Sequence, residues 1–299
     1  MRRDRLMTGV QNSGIDFDWL MANLEVGTVA TGVDETPLPP IETFVLGPKA
    51  KYAAETYVLA LFQLYPTIYF HKTTRVAEKV FTTLMLRLIG LAREGAGNKS
   101  AVVKPIGLQR DHPILRFARE PDKLERALAL DDTVFWGVLP LLAESPDQVI
   151  RDCALRLRDR RLPKCYDIRE KLIAAVAPEW PRTKDDRESA KKRLDRLRRA
   201  ITNRLQEWSD ADPAASPRIL VDYATRSPYK PFHQTTGLQN QILFRAEDDK
   251  IHDMAEVSPV MSGLETFELF RAYFDRADEE ARTFVVKVVA EELRRTDNA

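Results

Sequence analysis

The sequence predicts a predominantly α-helical protein with a small mixed α+β lobe at its C-terminal end. Three observations predict it. Val76, Ala77, Val80, Phe81, Leu84, Met85, Leu88 and Ile89 recur at helical spacing and give one broad apolar face. Arg182 to Trp208 runs without Gly or Pro and is rich in Lys, Arg, Asp and Glu, as a long solvated helix is. After a Pro/Ala/Ser/Asp linker at 210–217 the pattern changes, and Arg218-Ile219-Leu220-Val221-Asp222-Tyr223 reads as a strand.

The elements follow in chain order. Residues 1–26 read as the end of one helix, a turn at Gly9 and Asn12-Ser13-Gly14, and a short helix from Phe17 to Leu24 capped by Asp16 or Asp18. Val26–Val33 and Phe44–Leu46 suggest a small hairpin across a proline-rich stretch. Lys51 to Tyr65 is apolar nearly all round, as a buried helix is, and Pro66 ends or kinks it. Thr74, Arg75, Glu78, Lys79 and Thr82 form the polar face of the next helix, with His71 and Arg75 on its outer side. Residues 93–104 form a connection rich in Gly and polar residues. Short helices are expected at Lys123–Ala129, Asp131–Ala143 and Pro146–Asp159, the last with Ser145 as cap and Pro146 at its first position. Gln241–Phe244 is expected as a strand and 247–250 as a turn, and Leu264–Phe274 and Ala281–Leu293 as amphipathic helices.

Composition narrows the class. The net charge over 299 residues is +1, which by itself calls for no polyanionic or membrane partner. No apolar run approaches the length of a membrane span, and the basic start Met1-Arg2-Arg3-Asp4-Arg5 is not followed by an apolar core of the secretory type. Two cysteines, Cys153 and Cys165, make no disulfide framework and match no zinc pattern, so a reducing, cytoplasmic setting is the simplest expectation.

Three stretches carry a resemblance. The first is Arg3-Asp4-Arg5-Leu6-Met7-Thr8-Gly9-Val10-Gln11-Asn12. The second is Ile68-Tyr69-Phe70-His71-Lys72-Thr73-Thr74-Arg75. The third is Leu130-Asp131-Asp132-Thr133-Val134-Phe135, with the basic run Arg156 to Lys164 after it. In this order they resemble the deoxynucleoside triphosphate triphosphohydrolases of the HD superfamily. The resemblance implies that residues 1–95 are the distal helices of an HD domain, 96–215 a helical extension and 216–299 the α+β lobe. It implies a reaction in which a dNTP is hydrolysed to nucleoside and triphosphate with a divalent metal supplying the hydroxide. Asp4 matches the aspartate that accepts from the sugar 3′-hydroxyl, and Tyr69 the tyrosine that packs on the deoxyribose. Lys72 would meet phosphate, on the substrate or at a neighbouring regulatory site. His71 and Arg75 are candidates for a nucleotide or subunit contact, since enzymes of this family are commonly oligomers.

Two departures accompany the resemblance. The family's His, His-Asp and Asp ligands precede the position matched by Asp4, so no metal ligand and no catalytic residue is expected in this chain. It is therefore expected to be the C-terminal portion of a longer enzyme, inactive as a truncated chain. An arginine usually found eight residues before the tyrosine is Leu61 here. The alternative is a non-catalytic regulatory subunit that binds nucleotide or RNA. If helices are missing, apolar surface around Tyr57, Leu61 and Val76 is expected to be exposed.

Other motifs read more blandly. His252-Asp253 is literally an His-Asp pair, but Asp248 and Asp249 belong to a turn, and a surface hairpin histidine is the better reading. Arg182 to Arg204 holds ten Lys/Arg against four Asp/Glu. With no aromatic residues interleaved it reads as a solvated helix before a nucleic-acid patch. The cysteines read as inert packing residues.

Overall fold

The computed structural model describes residues 14–31, 38–94, 102–177, 183–212, 214–229 and 241–297. Asp4 and the rest of the first motif, and His233, lie outside them. The chain forms two compact units, each drawn from two stretches of sequence: 1–71 with 224–268, and 72–223 with 269–299.

In the first unit, α1 (Phe17–Ala22) is capped by Asp16, whose Oδ1 accepts from the Trp19 amide at 2.9 Å. The hairpin pairs β1 (Leu24–Thr31) with β2 (Leu38–Leu46) antiparallel, Val26 opposite Phe44. The strand β7 (Leu243–Arg245) joins β2 in parallel at Phe244 and pairs with β8 (Ile251–Asp253), so the sheet order is β1-β2-β7-β8. Gly27 is needed for close packing: a Cβ there would come within 2.6 Å of Ile251 Cδ1. The turn between β7 and β8 puts Asp249 in the left-handed region at φ 65°, which Asp tolerates. The helix α2 (Lys51–Leu64) buries Ala54 and Val58 against Tyr229, Phe244, Met254 and Met261. Pro66 follows it in a single wide turn, Tyr65–Tyr69, closed by Phe70 N–H donating to Tyr65 O at 2.7 Å. Phe44, Val26 and Tyr52 remain exposed, and Tyr57 partly so.

In the second unit, α3 (Lys72–Glu94) buries Val76, Val80, Leu84, Leu88 and Ala92, each four residues from the last. Each large side chain of this stripe contributes about 1.5–3 kcal/mol by leaving water. Val76 is thus core and not exposed surface: it belongs to the buried cluster that also holds Ile114, Leu142, Ile150 and Cys153. A two-stranded ribbon, β3 (Val102–Val103) and β4 (Leu108–Gln109), turns through Gly107 at φ 85°. Then come α4 (Pro113–Arg119), α5 (Leu124–Leu128), α6 (Asp132–Leu142) and α7 (Gln148–Arg158). Asp147, two residues later than expected, caps α7 and accepts from Ile150 N–H at 3.0 Å. Ser145 Oγ instead accepts from the Asp147 amide at 3.3 Å, and Asp147 also takes the Arg87 guanidinium at 2.7 Å.

The strand β5 (Lys164–Asp167), α8 (Ile168–Val176), α9 (Lys184–Ser209), β6 (Ile219–Arg226), β9 (Phe267–Phe274) and α12 (Glu279–Asp297) complete the chain's mixed part. Between β8 and β9 lie two single turns of helix, α10 (Met254–Val257) and α11 (Pro259–Ser262). The three-stranded sheet runs β5-β9-β6. Leu264–Phe274 was expected as a helix; residues 267–274 are instead the central strand. Leu269, Phe270, Ala272, Tyr273 and Phe274 are all buried, so both faces are covered and the alternation that marks a strand is erased. One face packs on α8, α9 and α12 through Ile168, Leu197, Ile201, Phe270 and Val285. The fold is mainly helical with small mixed sheets, as the sequence indicates.

Candidate functional site

Tyr69 and His71 belong to the first unit, Lys72 and Arg75 to the second. In the first unit, Tyr69 is half-buried in an aromatic cluster. Its ring centroid is 5.2 Å from that of Tyr65, which is 5.6 Å from Phe70; Phe70 stacks on Phe267 at 5.5 Å. The Arg226 guanidinium lies over the Tyr65 ring at 4.7 Å. The wide turn creates this cluster: Pro66 leaves the helix one residue longer per turn, which brings Tyr65, Tyr69 and Phe70 together. Such a cluster offers ring faces to a flat or saturated ring and a cation beside them. His71 is exposed, and its amide donates to Ile68 O at 3.2 Å.

In the second unit, Lys72 opens α3 with its side chain exposed. Arg75, read from the sequence as lying on the outer helix face, is half-buried instead. Its Nε and Nη2 donate to the two oxygens of Asp222 at 2.9 and 2.5 Å, and Lys79 Nζ stands 3.6 Å from the same carboxylate. Asp222 is fully buried, and the hydrogen bonds to it raise the Arg75 pKa beyond its ordinary value. On the neighbouring strands Cys165 faces Tyr273 and Asp167 faces Arg271, with Arg271 Nε donating to Asp167 at 3.2 Å. Burial pushes the Tyr273 phenol up, and Cys165 and Asp222 add to this while Arg271 opposes it. Burial also pushes the Cys165 thiol up, although Arg271 and Lys72 pull the other way. Lys72, Arg75, Lys79 and Arg271 gather at this corner, where Asp222 takes Arg75 and Lys79 and Asp167 takes Arg271.

Sequence reasoning missed Asp222, Arg271, Tyr273, Tyr65 and Arg226. A signal for Asp222 was present: a lone carboxylate inside Ile219-Leu220-Val221-Asp222-Tyr223 needs a buried cation.

The structure compares with two solved proteins. It matches a phosphohydrolase from Bacteroides thetaiotaomicron at TM-score 0.57 and 21% identity over 92% of this chain. It also matches a hypothetical protein from Aquifex aeolicus at TM-score 0.52 and 17% identity over 95%. The likeness is one of fold. The chain spans 59% of the first and 55% of the second. No family model and no curated protein sequence matches.

The metal implied by the resemblance does not fit the described residues. Among them no three His, Cys, Asp or Glu side chains converge as ligands. His112 Nδ1 accepts from the Ile114 amide at 3.3 Å as a helix cap, and His252 Nδ1 lies 3.2 Å from Glu256. Asp253, its sequence neighbour, is buried and accepts from the Tyr229 hydroxyl at 2.9 Å and the Ala255 amide at 2.8 Å. The His-Asp pair is therefore divided between a surface contact and a structural one. Among the described residues no helix is long and apolar enough to cross a membrane.

Proposed function

We propose that this chain is the nucleotide-gripping part of a phosphohydrolase of the dNTP triphosphohydrolase type. The reading is supported chiefly by the likeness of fold to a phosphohydrolase, with the half-buried Tyr69 ring as its best-placed residue. Tyr69 packs on the deoxyribose, where a ring fills the space a 2′-hydroxyl would occupy. Asp4 accepts from the 3′-hydroxyl, as a carboxylate does well. Lys72 offers a point charge to phosphate. His71 and Arg75 were candidates for a nucleotide or subunit contact. Arg75 is committed to Asp222 and is assigned no ligand; His71 keeps that assignment, between copies of the chain in a homo-oligomer.

The family's divalent metal would supply a hydroxide if it were bound. The described residues do not hold it, so no hydrolytic step is assigned to them. What this chain contributes is orientation of the sugar and attraction of the phosphates. The experiment is nucleotide binding and turnover by the purified 299-residue chain. The expected result is preferential binding of dATP over ATP, and no hydrolysis with Mn²⁺ or Mg²⁺. Chelator-sensitive turnover, or equal binding of the two nucleotides, overturns the proposal.

A further inference from the structure

Arg226 is an exposed guanidinium that stands beside the ring cluster of the first unit. We propose that it binds a phosphate of the nucleotide whose sugar packs on Tyr69. The assignment rests on the function proposed above and adds to it a residue that grips the charged end of the ligand.

The side chain is held at both ends. Arg226 is the last residue of β6, and the chain is anchored directly after it. Ser227 Oγ donates to Tyr229 O at 2.5 Å, and the hydroxyl of buried Tyr229 donates to Asp253 at 2.9 Å. At its far end the guanidinium carbon lies 4.7 Å from the centre of the Tyr65 ring. That ring belongs to the wide turn Tyr65–Tyr69 and stands 5.2 Å from the Tyr69 ring, so one ring separates Arg226 from Tyr69. A planar guanidinium already stacked on a ring loses less freedom when its N–H groups bond a ligand.

The charge of Arg226 is not spent within the chain. A ring face attracts the cation but leaves its N–H donors in the guanidinium plane without acceptors. Among the described residues no carboxylate bonds Arg226. Arg245, the other described arginine of this unit, shows the contrast. Its Nε donates to Glu25 at 2.8 Å and its Nη1 to Asp249 at 2.6 Å, so its charge is matched.

The ligand class follows from the two parts of the cluster. A guanidinium presents paired N–H donors that match two oxygens of a phosphate. The neighbouring rings offer faces to a sugar or a base. A nucleotide joins an anion to a ring in one molecule, as the cluster joins Arg226 to Tyr69. An exposed ion pair between two mobile side chains contributes little. Here the stack on Tyr65 has already ordered one partner, and a phosphate chain carries more than one charge, so the contribution is larger.

The test is ligand-observed NMR titration of the full chain with dATP and with deoxyadenosine, which shares the sugar and base but has no phosphate. It compares wild type with Arg226→Gln and Arg226→Lys. Arg226 is exposed, so both replacements leave the core intact, and circular dichroism checks this. Arg226→Gln should weaken dATP binding by about fivefold or more and leave deoxyadenosine binding unchanged. Arg226→Lys should fall between for dATP, because it keeps the charge and loses the fork. Unchanged dATP affinity in Arg226→Gln overturns the assignment. Equal losses for dATP and deoxyadenosine also overturn it, since Arg226 then only stiffens the rings. A wild type that binds neither molecule overturns the nucleotide reading itself, and the assignment with it.

Discussion

Removing Arg75 should unfold the second unit more readily than removing its partner. Asp222 is fully buried and receives two hydrogen bonds from Arg75, leaving Lys79 Nζ at 3.6 Å as its other cation. Arg75→Ala strands a carboxylate in the protein interior, which costs about 3–5 kcal/mol. With a urea slope of about 3 kcal/mol/M, the unfolding midpoint falls by about 1–1.7 M. Asp222→Ala is milder, because Arg75 retains some solvent contact and a Glu78 oxygen at 2.7 Å. Its cost should be about 1–3 kcal/mol. Arg75→Met with Asp222→Leu should recover most of the loss, since a packed apolar pair can replace a buried ion pair. Urea unfolding of the four proteins, followed by circular dichroism, reads all three values. A cost below about 1 kcal/mol for Arg75→Ala, or a larger one for Asp222→Ala, refutes the reasoning.

Two further outcomes are expected. His112 caps α4 with a ring nitrogen that must be unprotonated to accept from Ile114, and burial lowers its pKa from 6.5. Its contribution is therefore present above about pH 6.5 and is lost as pH falls through the lower folded value. Thermal melts at pH 7.5 and 5.0 should show a smaller acid-induced drop in His112→Asn than in wild type; equal drops contradict the assignment. Cys153 is buried with its thiol pushed up to about 11, while Cys165 is only half-buried. A thiol reagent at pH 8 should label Cys165 slowly and Cys153 only after urea unfolding, and early labelling of Cys153 would show that the α3–α7 packing is wrong.

The helices were legible where apolar periodicity is strong. Val76 to Ile89 announces α3, and Ala281 to Leu293 announces α12, because a helix half in water keeps polar residues on its other face. The central strand was not legible. Residues 267–274 are buried on both faces, and their apolar spacing mimics a helical stripe. The short ribbon around Gly107 was missed for another reason: two residues per strand carry no period at all. Of the proposed site, Tyr69 and Lys72 were named through the resemblance and not through any local pattern. Arg75 was placed on the wrong face because its partner is 147 residues away, and no local pattern encodes that contact. Arg226 reaches the Tyr65 ring across a similar separation, so it too was invisible.

The central claim is that the Tyr69 ring contacts the sugar of a nucleotide. The most direct measurement is the affinity of wild type, Tyr69→Phe and Tyr69→Ala for dATP and ATP by equilibrium dialysis. Stacking a side chain on a ring contributes about 1–3 kcal/mol. Tyr69→Ala should therefore lose dATP affinity by about fivefold or more and with it the preference over ATP, while Tyr69→Phe keeps both. Identical affinities for both nucleotides across the three proteins would contradict the claim.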